Sequence, residues 1–357
     1  MSPTLDLEMK FSLLGTFAVD MFGAYFKFTS PTQVGKFFPL DPPVAPVVTT
    51  FENTASRFVY APWVSPDQTK ILYVFTDASF RQNLWVYDIA TAVKTQLTTA
   101  VSVATQILSP QWHPNSTKII FSTNNDRQID TINADGTGRT TLVAGITGTT
   151  ARLYPKYNYD GTLIAYMTRN AISAGRDLHV MTSAGASDTI IKTDASDSNN
   201  GVNFSWANLS NRILYCNLGN VLGNVKHYRT INANGTGDMA ISAGSNNWNP
   251  HVSSRAWLLD DSYVMVSRTS GSLLEQIYRL TVDGSLTAVA SSPAIYGSAN
   301  LGSGNPQVLA DGRIYFSRYI SVGTKYSMVS MLPDASDVQE IEAFVTTDRY
   351  GIEDYSA

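Results

Sequence analysis

The sequence predicts an all-β protein, a six-bladed β-propeller of four-stranded antiparallel blades with an N-terminal extension. A unit made of an aromatic residue, a tight turn, an apolar strand and a Gly hairpin recurs along the chain. Its aromatics Trp63, Trp112, Tyr157 and Trp206 are 49, 45 and 49 residues apart, a period that suits four-stranded blades and is too long for leucine-rich or most helical repeats. Charged residues are only 15% of the chain, and Thr, Ser, Asn, Gly and Ala fill the difference, as in turn-rich β proteins.

The units follow one another in order. The first is "APWVSPDQTKILYVFTDASFRQNLWVYDIATAVKTQLT" at 61–98, and the second is "PQWHPNSTKIIFSTNNDRQIDTINADGTGRTTLV" at 110–143. The others begin at Tyr154, Asn203, Asn249 and Asn305. In each, a first strand ends near the aromatic and a turn follows, at Pro66-Asp67, Pro114-Asn115, Asp160-Gly161 and Asp311-Gly312. Second strands such as Ile71 to Phe75, Ile119 to Phe121, Leu163 to Tyr166, Ile213 to Tyr215 and Ile314 to Phe316 are apolar on successive residues. Both faces of those strands must then be covered, which stacked blades provide. A third strand leads to a second turn at Asp135-Gly136, Asn234-Gly235 and Asp283-Gly284, where Gly takes positive φ without steric cost and Asn or Asp tolerates it. The fifth unit is worn: Pro250-His251-Val252 stands where the aromatic and turn are expected. The first carries Val64 as an extra residue between Trp63 and Ser65.

The stretches "SPDQTKILY", "HPNSTKIIF" and "NYDGTLIAY", with their "NADGTG"-like outer turns, resemble the PD40 (WD40-like) repeats of TolB-like β-propellers. The resemblance covers about residues 55–345 and implies fold more than function. Relatives of this kind include a periplasmic partner-binding protein, accessory domains of serine peptidases, and virion or surface proteins.

The residues that carry chemistry are sparse. Net charge is -4 with no Lys/Arg cluster, so nucleic acid and anionic lipid are not expected partners. Cys216 is the single cysteine, so no internal disulfide forms, and it is expected to be a buried strand residue. There is no Gly-x-Ser-x-Gly elbow and no chain left over for a hydrolase domain. His113, His179, His227 and His251 fall in different repeats without metal-ligand spacing, so neither a metal nor another cofactor is expected. A surface calcium ion at an Asn-Ala-Asp-Gly-Thr-Gly turn stays open as the weaker alternative. Polar residues of the innermost strands, Arg57, Tyr60, Arg152, Tyr154, Asn203, Asn249, His251 and Asn305, are candidates to line an axial funnel.

Residues 1–50 do not match the repeat, 51–345 form the propeller, and 346–357 are a tail. The N-terminal stretch lacks the pattern of a secretory signal and is too polar to span a bilayer. Its Phe11, Phe17, Phe22, Tyr25, Phe26, Phe28, Phe37 and Phe38, followed by the Pro-rich "FPLDPPVAPVV", read as a sticky arm and linker. Six complete blades do not need the arm for closure. It either folds back or docks on a neighbouring subunit, and docking is preferred. The resulting expectation is a non-catalytic, protein-binding propeller. Its partners are other copies of itself or other subunits of an assembly, and it is placed in a virion or outside the cell. The alternatives are a TolB-like extracytoplasmic scaffold and a calcium-dependent, lactonase-like hydrolase.

Overall fold

Alternating β-branched and aromatic runs separated by Gly, Asn and Asp turns fold into antiparallel meanders throughout the computed structural model. It describes residues 22–29, 32–39, 49–55, 59–100, 106–123, 128–145, 152–169, 175–197, 204–217, 227–242, 248–270, 276–282, 301–320, 325–346 and 349–351. From the N-terminus come β1 (Phe22–Thr29), β2 (Thr32–Pro39) and β3 (Thr49–Ala55). The first repeat gives β4 (Val59–Val64), β5 (Lys70–Thr76), β6 (Gln82–Asp88) and β7 (Lys94–Gln96). The second gives β8 (Ile107–Trp112), β9 (Lys118–Thr123), β10 (Ile129–Asn133) and β11 (Thr140–Val143). The third gives β12 (Arg152–Tyr157), β13 (Leu163–Arg169), β14 (Gly175–Thr182) and β15 (Thr189–Asp197). The fourth gives β16 (Phe204–Trp206), β17 (Arg212–Asn217), β18 (His227–Asn232) and β19 (Met239–Ala240). The fifth shows three strands, β20 (Trp248–His251), β21 (Tyr263–Ser270) and β22 (Gln276–Thr281). The sixth gives β23 (Leu301–Val308), β24 (Ile314–Ile320), β25 (Lys325–Met331) and β26 (Gln339–Thr346), and β27 (Arg349–Gly351) ends the series.

Each repeat forms its own sheet with strands paired in chain order, so the fold is an all-β propeller with four-stranded antiparallel blades. The count of six is not borne out. A further sheet, ordered β27-β1-β2-β3, joins both ends of the chain, making seven sheets among the described residues. In it Phe26 pairs with Gly351 and Phe28 with Arg349. This terminal sheet touches β4 on one side and β24 and β25 on the other, so it stands between the first and sixth repeats and closes the ring. The boundary expected at residue 50 therefore falls inside a sheet. Phe22, Tyr25, Phe26 and Phe28 belong to β1, and Phe37 and Phe38 to β2, as ladder residues rather than a free arm. Phe11 and Phe17 lie outside the described residues. Among the described residues no helix is long and apolar enough to cross a membrane.

The core is divided among the seams. Trp63, Leu72, Val74, Trp112 and Phe121 fill the seam between the first and second repeat sheets. Ala165, Met167, Leu178, Phe204, Trp206 and Tyr215 fill that between the third and fourth. Phe51 of the terminal sheet packs on Tyr73 with ring centroids 5.2 Å apart. Burying an aromatic or large aliphatic side chain contributes roughly 1.5–3 kcal/mol, so each seam is held mainly by such residues. The recurring Trp adds a directional bond: Trp112 Nε1 donates to Trp63 O at 2.9 Å, and Trp206 Nε1 to Lys156 O at 3.0 Å. Trp257 Nε1 donates to Ser205 O at 3.1 Å. Trp257, not Pro250-His251-Val252, is thus the aromatic of the fifth repeat, followed by a turn in which Asp261 N donates to Leu258 O at 2.9 Å. In the first repeat, Trp63 pairs with Leu72 and Val64 with Ile71, as Gln111 pairs with Ile120 and Trp112 with Ile119 in the second. Val64 therefore takes the slot of the repeat aromatic, and Trp63 is displaced one residue inward.

Candidate functional site

The innermost strands carry a shared irregularity. β4, β8, β12 and β23 each break register, between Tyr60/Trp63, Leu108/Gln111, Leu153/Lys156 and Gly304/Gln307. Such bulges re-aim the residue that follows. Tyr154, inside one of them, has φ +59°. The re-aimed residues make the contacts between blades. Gln111 Oε1 accepts from Tyr157 N at 2.9 Å, and Lys156 Nζ donates to Phe204 O at 3.0 Å. Gln307 Oε1 accepts from Arg255 N at 3.1 Å. The Arg255 guanidinium also lies 4.8 Å from the centroid of the Trp63 ring. Trp63 and Arg255 come from the first and fifth repeats, which are not neighbours, so this contact crosses the ring. Lys156 and Gln307 are buried. At this level the Trp63–Arg255 contact spans the ring.

The expected funnel residues fare differently. Arg57 and Asn203 lie outside the described residues, and Tyr60, Asn249, His251 and Asn305 are placed on innermost strands β4, β20 and β23 by their backbone. Arg152 and Tyr154 are on β12, with Tyr154 buried under the Arg176 guanidinium at 5.2 Å. Gln111, Lys156, Arg255 and Gln307, which make these contacts between repeats, were not singled out from sequence. Their available signal was position: Gln111 and Lys156 directly precede the repeat aromatic.

A second constellation lies in the seam between the second and third repeat sheets. Strand alternation places Tyr166 and Thr168 of β13 on the face toward Ile120 and Ile129, and Tyr166 pairs across the ladder with His179 of β14. The Tyr166 and His179 rings stack with centroids 4.7 Å apart. His179 Nδ1 is 3.1 Å from Asp188 Oδ1, and Nε2 is 3.0 Å from Thr168 Oγ1. The carboxylate favours the Nδ1–H tautomer, which leaves Nε2 as acceptor for the Thr168 hydroxyl. Tyr166 Oη donates to the other Asp188 oxygen, and burial followed by this carboxylate pushes the phenol well above its usual range. Arg152, the cross-strand partner of Thr168, anchors Nη1 on Ala144 O at 2.7 Å. Its Nε is buried with no hydrogen-bond partner. The His179 side chain is 13% exposed and that of Asp188 35%, so the group opens outward through the carboxylate.

The fourth repeat shows what is particular here. At the equivalent place Tyr215 Oη donates to Asp238 at 2.6 Å, and Arg229 rather than His bonds that carboxylate at 2.9 Å. The Tyr–carboxylate pair is therefore a recurring seam lock, and His179 with Thr168 is the third repeat's departure from it.

Two other histidines, His113 and His227, make structural contacts. His113 Nδ1 accepts from Asn115 N at 3.2 Å and its ring packs edge-on to Tyr157, while His227 Nδ1 meets Ser242 O at 3.0 Å. Cys216 is buried in β17, as expected. Among the described residues, no group of three or more His, Cys, Asp or Glu side chains is placed to hold a metal ion.

No family model and no curated protein sequence matches the chain. Solved structures do. An oligogalacturonate lyase in complex with manganese superposes with a TM-score of 0.62 at 12% identity, over 91% of this chain and 86% of that one. A puromycin-hydrolyzing peptidase of Mycobacterium tuberculosis gives 0.61 at 13% identity, over 80% of this chain and 47% of the peptidase. The β-propeller domain of the Trilobed protease from Pyrococcus furiosus gives 0.55 at 11% identity, over 90% and 98%. Identities this low establish a shared fold. They also correct the expectation of a non-catalytic virion component. The fold is shared with enzymes, and none of these three is a virion protein. With its recurring units each forming its own antiparallel sheet, the chain has a β-propeller fold, which it shares with these solved structures.

Proposed function

We propose that the protein is a propeller enzyme whose chemistry is proton transfer at His179, and that the reaction class is hydrolysis of an acyl ester or amide. The observation that carries this reading is the ordered relay Asp188–His179–Thr168, with successive separations of 3.1 and 3.0 Å. A nucleophile, a base and a group that orients the base are thereby within hydrogen-bond reach of one another.

In the proposed reaction, Thr168 Oγ1 forms a bond to the acyl carbon as its proton passes to His179 Nε2. Asp188 stabilises the imidazolium that results. The bond to the leaving group breaks as Nε2 returns the proton to it, and water then releases the acyl group by the same route. Arg152 is cross-strand from Thr168 and has an unsatisfied Nε–H, so it supplies positive charge for the oxyanion. The manganese seen in the lyase is not carried over, since the described residues offer no ligand group for it.

The test is turnover of a panel of model esters and amides by the wild type and by His179→Gln, Thr168→Val and Asp188→Asn. Loss of a base or nucleophile in such a relay lowers kcat by about 10⁴-fold or more. Turnover that survives in Thr168→Val would show that Thr168 is not the nucleophile. No turnover of any panel member by the wild type would reject the reading.

A further inference from the structure

Three of the exposed large apolar side chains, Tyr159, Leu209 and Leu259, stand on successive turns of the same kind. These turns join the first and second strands of the third, fourth and fifth repeat sheets. Each side chain is between 43% and 58% exposed. The turns are fastened to one another. Asn158 Nδ2 donates to Asn211 Oδ1 at 2.7 Å between the third and fourth. Asp261 accepts from Asn208 N at 2.7 Å and from Leu209 N at 3.0 Å between the fourth and fifth. The three apolar tips are thus held in a fixed arc, and a partner that binds them loses little of the chain's freedom.

The arc has a charge. Asp160 follows Tyr159 and Asp260 follows Leu259, and both carboxylates are exposed. The Thr162 hydroxyl holds Asp160 below the usual carboxylate range, and the Ser262 hydroxyl does the same for Asp260, so both are ionised at neutral pH. Arg212, at the foot of the middle turn, is directed to Val282 O at 3.3 Å and Met239 Sδ at 3.0 Å rather than to these acids.

We infer that this arc is a docking surface for a segment of another protein in which Lys or Arg side chains flank large apolar ones. The apolar tips supply burial and the two carboxylates select the cationic flanks. A second copy of this chain fits less well, because a twofold pairing through the arc would set Asp160 and Asp260 against the same acids.

The test uses the full chain and a synthetic peptide of alternating Lys and Leu, with the Glu and Leu analogue as control, followed by calorimetry. The Lys peptide is expected to bind, more weakly as salt rises, and the Glu peptide not to bind. Tyr159→Ser, Leu209→Ser and Leu259→Ser together should weaken binding at least about tenfold, the size of a modest hot-spot loss. Asp160→Asn with Asp260→Asn should remove the preference for Lys over Glu. Because the three apolar residues are exposed, the triple variant should unfold at the wild-type temperature, which a melting curve checks. Equal binding by the wild type and a folded triple variant overturns the inference. So does a concentration-dependent dimer of the wild type that the triple variant abolishes, or no binding of the Lys peptide.

Discussion

The indole of Trp206 donates to the carbonyl oxygen of Lys156 at 3.0 Å, across the seam between the third and fourth repeat sheets. Both partners are buried, so the bond cannot be replaced by water. Trp206→Phe keeps most of the apolar surface and strands the carbonyl, an expected loss of about 1–3 kcal/mol. Trp206→Ala should cost about 3–5 kcal/mol by leaving a cavity as well. Urea denaturation of the two variants separates these contributions, and a Phe variant as stable as the wild type would show that the bond adds nothing.

Gly161 is held at φ +75°, and a Cβ placed there would run into the His113 ring at Nε2. Gly161→Ala therefore carries two penalties, backbone strain of about 1–2 kcal/mol and a clash with the histidine of the neighbouring turn. His113→Ala in the same chain should remove the clash and leave the strain. The double variant is thus expected to be more stable than the sum of the single losses, which a double-mutant cycle reads directly.

Asp238 gathers three donors, Arg229, Tyr215 and Lys192 of the adjacent sheet. Burial works against its charged form, but bonds from Arg229, Lys192 and Tyr215 outweigh it, so its carboxyl sits below the usual range. A carboxylate depressed in the folded state contributes stability above its unfolded pKa of about 3.9 and loses it as pH falls through the folded value. Asp238→Asn should therefore destabilise at neutral pH, and the gap to wild type should shrink as the medium is acidified below about pH 4. A gap that stays constant with pH would exclude this linkage.

Ending the chain after Thr346 removes β27 and uncovers the edge of β1. An open edge presents unpaired backbone groups to other strands. The truncated chain is expected to melt earlier and to self-associate, as judged by light scattering. A truncated monomer as stable as the full chain would show that β27 is dispensable.

Most of the propeller was legible because the repeat writes it several times over. The turns at Pro66-Asp67 and Asp160-Gly161 and the apolar runs at Ile71 and Ile213 each recur in the structure as expected. The terminal sheet was not legible. Its strands carry neither the repeat aromatic nor the Asp-Gly turn, and one of them comes from the far end of the chain, so no local pattern links Phe26 to Gly351. In the fifth repeat, the residues between His251 and Trp257 displaced the aromatic from the place where periodicity sought it. The seam group was missed for a related reason. His179, Asp188 and Thr168 have ordinary identities and spacing, and only the ladder pairings of β13 with β14 and of β14 with β15 bring them together.

Pairing β27 with β1 also orders events during synthesis. Residues 22–29 leave the ribosome well before their partner at 349–351, which is about 320 residues further along the chain. At roughly 5–20 residues per second, the first-made sheet waits for tens of seconds with one side uncovered. During that interval β1 is open to a strand from a neighbouring nascent chain. Expression on crowded polysomes should therefore favour exchanged, interlocked products over dilute synthesis of the same polypeptide.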